Sequence, residues 1–318
     1  MQSALSKIKS RITRSLFDRL GTSAKAAIIQ EICRQHEFRL VTPYSRRHLR
    51  LIPPNDGVIL FLMNRREYHE EQEINFVARL LSPDSVSIDV GANVGFWTVV
   101  LGDVVRAGTG RVFAFEPTPA TYSDLLANMA LNGLKECHVH AYPLGLADRQ
   151  SQLDLHCYEV PSASCGWNTF GQPQSRDATG KILATRRVRV PVTTLDAWWA
   201  ETGNPACQFL KLDVEGYESL VLQGAAAFLA RHRELEDFLV LCEVNSVALR
   251  SAGSGNSELW DLIRSSGYQP YRFHWQSPSP PELSALEQDA FNRIQSENIF
   301  LTPLDSQLGR RISQIRWD

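Results

Sequence analysis

Residues 88–98 read Ile88-Asp89-Val90-Gly91-Ala92-Asn93-Val94-Gly95-Phe96-Trp97-Thr98. An apolar strand over 86–90 runs into a helix over 96–105 through a turn held by two glycines. A backbone turning this tightly against a ligand needs residues without a β-carbon clash, which Gly91 and Gly95 supply. Asn93, between them, is the residue type after glycine that best tolerates the left-handed region. The helix N-terminus behind the turn suits a carboxylate or a phosphate. The spacing is G-x-x-x-G, so this is not the G-x-G-x-x-G dinucleotide fingerprint. Asp89 precedes the turn, and Glu116, in Phe115-Glu116-Pro117, ends the next strand, where a carboxylate can accept both hydroxyls of a ribose.

Outward from this turn the pattern alternates. Strands are expected at 112–115, 137–146, 208–214, 238–244 and 268–273, and helices at 119–132, 194–200, 217–232 and 257–266. Strands separated by helices of this length predict a doubly wound, mostly parallel α/β sheet. Residues 147–192 interrupt it with two antiparallel strands, 152–158 and 187–192, around a polar loop. A final strand, 298–302, follows a Ser/Pro-rich loop that permits a hairpin-like return, so this strand is expected to be antiparallel.

The 318 residues carry a formal net charge of −2, but residues 1–50 hold eleven Lys/Arg and three Asp/Glu, a net +8 that leaves −10 for the remainder. Leu5, Ile8, Ile12, Leu16 and Leu20 recur at helical spacing in the basic segment. Residues 1–80 therefore read as a helical and extended appendage, for docking or as a substrate cap, and 81–318 as the α/β domain; a helix is also expected at 70–81. Lipid contact through the basic segment is open, but packing on the body or on a partner subunit is favoured. Apolar runs such as 58–63 fall far short of the ~20 residues of a membrane span. No secretory signal and no zinc-spaced Cys/His set is visible, so a cytoplasmic protein with reduced thiols is expected.

Asp89-Val90-Gly91-Ala92-Asn93-Val94-Gly95, Phe115-Glu116-Pro117, Asn128 to Asn132, Thr194-Leu195-Asp196 and Lys211-Leu212-Asp213-Val214-Glu215-Gly216-Tyr217-Glu218 together resemble the FkbM family of methyltransferases over roughly residues 66–303. The resemblance implies a Rossmann-like class I methyltransferase sheet with an antiparallel last strand, and S-adenosylmethionine as cofactor. It places Asp89, Gly91, Ala92, Asn93 and Gly95 along the methionine side, Glu116 on the ribose and Asp148 near the adenine. Tyr68 and Glu71 fall near an upstream Tyr-Glu pair of the family, with a different spacing. The implied activity is O-methylation of a hydroxyl on a small molecule such as a sugar or polyketide. Methylation of a carboxylate or amide on a peptide is the alternative; a nicotinamide oxidoreductase or a non-catalytic binding module is more remote.

Methyl transfer from a sulfonium needs the acceptor held in line with the leaving sulfur, and an alcohol acceptor also benefits from a base. Candidates lie at the carboxyl ends of strands. Lys211, Asp213 and Glu215 would alternate onto one side of an extended segment. Asp213 is the first choice nearest the reacting centre. Glu215 serves as a base or as a helix-start acid, Glu218 is expected to be solvated or paired, and Glu243 faces substrate or forms a salt bridge. Two of these carboxylates with Asp213 could bind a divalent ion, as in some methyltransferases, but their spacing demands no metal. His138 and His140 read as structural. The insert at 158–185, with Trp167 and Phe170, is expected to form a substrate-facing lid. An acidic body disfavours nucleic acid; a homo-oligomer is open.

Overall fold

The computed structural model describes residues 70–159, 167–176, 180–235, 238–275 and 279–304, residues 306, 308 and 312, and the strands β1 (Phe38–Val41) and β2 (His48–Leu51). β1 and β2 pair antiparallel. The expected basic helices of 4–35 lie outside the described residues.

The main sheet has eight strands: β3 (Val86–Val90), β4 (Arg111–Phe115), β5 (Val139–Tyr142), β9 (Phe209–Leu212), β10 (Leu239–Asn245), β11 (Tyr268–His274), β12 (Glu282–Ala285) and β13 (Ser296–Pro303). Their order is β12-β11-β13-β10-β9-β3-β4-β5. β5, β4, β3, β9 and β10 are parallel. β13 inserts antiparallel between β10 and β11. The predicted antiparallel last strand is therefore present, in a Rossmann-like α/β fold. The loop before it also contains β12 and a short helix (Gln288–Asn292), which the Ser/Pro-rich composition concealed.

The strands split their side chains between two cores with period 2. Phe113, Phe115, Leu210, Leu212, Val240 and Ile299 face one layer. Val112, Ala114, Phe209, Leu239, Leu241 and Phe300 face the other. That second layer is covered by α1 (Glu71–Leu80), α2 (Phe96–Val105) and α3 (Pro119–Leu131). α1 buries Phe76 completely, 5.2 Å from the ring of Phe300. The ten residues of α1, assigned to the appendage by sequence, thus belong to the core of the α/β domain.

Two expected elements are divided. The strand over 137–146 ends at Tyr142; after Pro143, which cannot donate to a ladder, β6 (Gly145–Leu146) joins a second sheet with β7 (Ser151–Tyr158) and β8 (Thr185–Thr193). The helix over 217–232 breaks into α5 (Glu218–Gln223) and α6 (Ala226–His232). Gly224 lies against Ala147, where a β-carbon would stand 2.1 Å from the carbonyl oxygen, and its own carbonyl accepts from the Asp196 amide. Asp196, in α4 (Leu195–Glu201), then caps α6 through the amides of Ala227 and Phe228, at 2.9 and 2.8 Å. Among the described residues no helix is long and apolar enough to cross a membrane.

Candidate active site

The glycine turn is stitched to the neighbouring strand: the amides of Gly91 and Ala92 both donate to the Phe115 carbonyl, at 3.0 and 2.9 Å. Gly91, Asn93 and Gly95 all have positive φ, 77°, 51° and 93°. At Gly91 a β-carbon would stand 1.8 Å from the carbonyl oxygen of Asp213, so only glycine lets the turn pass the loop after β9.

Asn93 donates its amide to Glu116 Oε2 at 3.0 Å, and Thr118 donates to Oε1 at 2.8 Å. Glu116 is buried, and burial pushes its carboxyl up to about 7, against the pull of the Thr118 and Asn93 donors. Each carboxylate oxygen keeps a second lone pair, so the side chain can still accept from two hydroxyls.

Above the turn opens a cavity. Its polar wall includes Gly91, Asn93, Glu116, Asp213 and Glu215; Leu144, Leu146, Leu155 and Phe170 form an apolar side. Asp148, placed near the adenine by the family resemblance, is not among the lining residues. It pairs with Arg149 at 3.0 Å. The chain turns past the cavity at 144–146, because β5 ends early and β6 leaves for the second sheet.

Behind the cavity wall runs a row of buried charge. Asp89 is fully buried and accepts from Thr98 Oγ1 at 2.6 Å. Lys211, beside it in register on β9, reaches Asp213 Oδ2 at 2.9 Å and stands 3.9 Å from Asp89 Oδ1. Burial pulls the Lys211 ammonium down, but the carboxylates of Asp213, Asp89 and Glu70 outweigh it and hold its pKa above the usual lysine range. Asp89 and Lys211 thus sit beneath the turn rather than in the cavity, as do Ala92 and Gly95.

Strand alternation does not place Glu215. β9 ends at Leu212, and a turn follows in which Glu215 and Gly216 have φ of 52° and 103°. A β-carbon at Gly216 would meet the Ala248 carbonyl oxygen at 2.3 Å. Glu218 is fully buried rather than solvated, and its Oε1 accepts from the amides of Val214 and Gly216, which fixes the turn.

Glu215 also borders a second cavity, shared with Trp167, Thr169, Gln172, Gln174 and Asn245. The insert is joined to the site by Thr169 Oγ1, which donates to the Glu215 carbonyl at 2.8 Å. Trp167 is 46% exposed and, of these two cavities, lines the second; Phe170 lies 5.0 Å from the Tyr217 ring and lines the first. Residues 160–166 and 177–179 of this insert lie outside the described residues.

One residue escaped the sequence reading. Glu70, at φ 67°, accepts from Trp97 Nε1 at 3.0 Å and from Asn298 Nδ2 at 2.8 Å. Tyr68 of the expected Tyr-Glu pair, and the side chain of Glu71, are outside the described residues. The signal available was the pair itself, shifted by one position. His138 and His140 are structural: the first meets the Gly110 carbonyl at 3.4 Å, the second stacks on Phe113.

A comparison with protein families matches residues 89–270 to the methyltransferase FkbM domain. The chain belongs to the FkbM methyltransferase family. Methyltransferase 1 of Beauveria bassiana is 32% identical over 148 residues, covering 44% of this chain and 58% of the relative. 2-O-methyltransferase NoeI of Sinorhizobium fredii is 25% identical over 197 residues, covering 56% of this chain and 76% of the relative. The chain thus spans little more than half the length of the first of these relatives. The crystal structure of methyltransferase FkbM from Methylobacillus flagellatus shares 14% identity and a TM-score of 0.41, over 78% of this chain and 55% of that one.

Proposed function

We propose that this FkbM-family protein uses S-adenosylmethionine to methylate a hydroxyl of a small molecule. The observation that carries the reading is the meeting of two cavities at Glu215: one built on Gly91, Asn93 and Glu116, the other open to solvent beside Trp167. The donor set fits the cofactor. Glu116 offers lone pairs to ribose hydroxyls, and Leu144, Leu146, Leu155 and Phe170 offer an apolar slot for a base. When bound, the cofactor would supply a sulfonium-activated methyl group, with the neutral thioether as leaving group.

The chain's own residues position the acceptor and take up its proton. Asp213 pairs with Lys211 at 2.9 Å, and Glu215 stands where the cavities join, so one of these carboxylates receives the hydroxyl proton. The name of NoeI, a 2-O-methyltransferase, agrees with an oxygen acceptor. Thermal shift and calorimetry with S-adenosylhomocysteine and with NAD test the cofactor. Binding of S-adenosylhomocysteine alone is expected, and a response to NAD alone overturns the reading. Incubation of acceptor panels with methyl-labelled S-adenosylmethionine then tests oxygen as the acceptor atom.

A further inference from the structure

We infer that the insert supplies the base-binding end of the cofactor site, with Phe170 as an apolar wall and Asn168 as the side chain that reads the edge of the adenine. This deepens the methyl-transfer reading and rests on it. Residues 167–170 run as a partition between the two cavities. Trp167 and Thr169 line the second, and Asn168 and Phe170 line the first. That alternation is the period of an extended chain, whose successive side chains leave on opposite sides. The partition is firmly held. Thr169 and His156 on β7 exchange both backbone hydrogen bonds, at 2.9 and 3.2 Å. The Thr169 hydroxyl donates to the Glu215 carbonyl and accepts from the Gly171 amide at 2.9 Å. Phe170 presses on Gly145, where a β-carbon would stand 3.0 Å from its ring. The insert, read from sequence as a substrate-facing lid, thus turns one face to the first cavity.

Asn168 has bonding capacity to spare. Its Oδ1 accepts from the Tyr158 amide at 3.2 Å, which fixes the acceptor end of the side chain. Its Nδ2 donates to Thr118 Oγ1 at 3.4 Å. A primary amide has two N–H bonds and two lone pairs on oxygen, so one of each is left over among the described residues. An adenine edge presents an amino donor beside a ring-nitrogen acceptor, and one amide side chain can satisfy both. Thr118 in turn donates its own amide to Glu116 Oε1. Asn168 is thereby tied to the carboxylate assigned to the ribose, on the wall of the same cavity. Asp148, which the family resemblance sends to the adenine, lines neither of the two cavities and holds Arg149.

The test is calorimetry of the full chain with S-adenosylhomocysteine and with S-inosylhomocysteine, in which a carbonyl oxygen replaces the amino group of the base. The wild type is expected to bind the inosyl compound about tenfold more weakly, because it offers the Asn168 oxygen no amino donor. Asn168→Ala is expected to weaken S-adenosylhomocysteine by about tenfold and to remove the preference between the two ligands. Phe170→Ala is expected to weaken both ligands by about tenfold; either variant carries the test if the other fails to fold. Trp167→Ala, on the opposite face of the partition, is expected to bind S-adenosylhomocysteine with wild-type affinity. Equal losses in Trp167→Ala and Asn168→Ala would mean that the segment acts only through general order, and overturn the assignment. Wild-type affinity in Asn168→Ala, or a greater loss in Asp148→Ala, also overturns it and returns the base to the loop of Asp148. In each of these cases S-adenosylhomocysteine still binds the wild type, so the cofactor reading stands. A wild type that does not bind S-adenosylhomocysteine sinks that reading and this inference with it.

Discussion

Gly91 packs so closely on Asp213 that a β-carbon on the glycine would stand 1.8 Å from the carbonyl oxygen of the aspartate. The glycine turn and the Lys211–Glu218 segment, about 120 residues apart in sequence, are therefore one structure. The same approach lets Lys211 reach both the Gly91 carbonyl, at 3.4 Å, and the Asp213 carboxylate. A ligand seated on the turn is thereby brought to Asp213 and Glu215.

Gly91→Ala is expected to cost about 3 kcal/mol or more, from overlap with a backbone that cannot yield plus the positive φ. Gly133, at φ 61° with nothing near its missing β-carbon, isolates the second contribution. Gly133→Ala is expected to cost about 1 kcal/mol. Urea unfolding compares the two, and equal losses would mean that the contact with Asp213 is not as close as described. Calorimetry should show S-adenosylhomocysteine binding lost in Gly91→Ala and kept in Gly133→Ala.

Burial raises the Glu116 carboxyl from its ordinary 4.5 to about 7. In the cofactor-free protein its protonated form is therefore favoured by folding. The stability it contributes is fully present below about pH 4.5 and is lost as pH rises through about 7. Cofactor binding has the opposite sense, because ribose hydroxyls donate to the anion. S-adenosylhomocysteine affinity is expected to fall by up to about tenfold per pH unit below 7. Glu116→Gln is expected to bind more weakly and to flatten both trends. Calorimetry and thermal melts between pH 5.5 and 8.5 read them, and a wild-type affinity independent of pH contradicts the ribose assignment.

The parallel sheet, its antiparallel closing strand and the glycine turn were legible because apolar periodicity and missing β-carbons are local. What escaped depended on distant partners. The break between α5 and α6 arises because Gly224 lies against Ala147 and Asp196 caps the second helix, neither visible in a continuous helical pattern over 217–232. The early end of β5 follows from a second sheet that recruits 145–146. Asp148, placed near the adenine by the family resemblance alone, pairs with Arg149. Glu215, read from sequence as a base or a helix-start acid, lines the cavity because a left-handed turn puts it there rather than strand alternation.

Asp196, within the Thr194-Leu195-Asp196 segment that helped mark the family, accepts from two amides at the start of α6 and lines neither cavity. Asp196→Ala is expected to lower stability by about 1–2 kcal/mol through loss of the cap, while S-adenosylhomocysteine affinity stays at the wild-type value. Asp196→Asn, which keeps an acceptor, should recover part of the loss. A large fall in affinity at full stability would instead assign Asp196 to the binding machinery.

Glu70 ties three elements together: it precedes α1, accepts from Trp97 on α2 and accepts from Asn298 on β13. It does so at φ 67°, where a residue with a β-carbon is strained. Removing the carboxylate strands two donors, an expected cost of about 1–3 kcal/mol. Glu70→Ala and Glu70→Gly lose the same hydrogen bonds, but glycine carries no penalty in the left-handed region. Glu70→Gly is therefore expected to be the more stable of the two by about 1 kcal/mol. The N-cap preference of α1 points the same way, and urea melts of the pair measure it. If alanine proves the more stable, the side chain is not being held at the cost of its backbone. If the two variants match wild type, Trp97 and Asn298 find other partners.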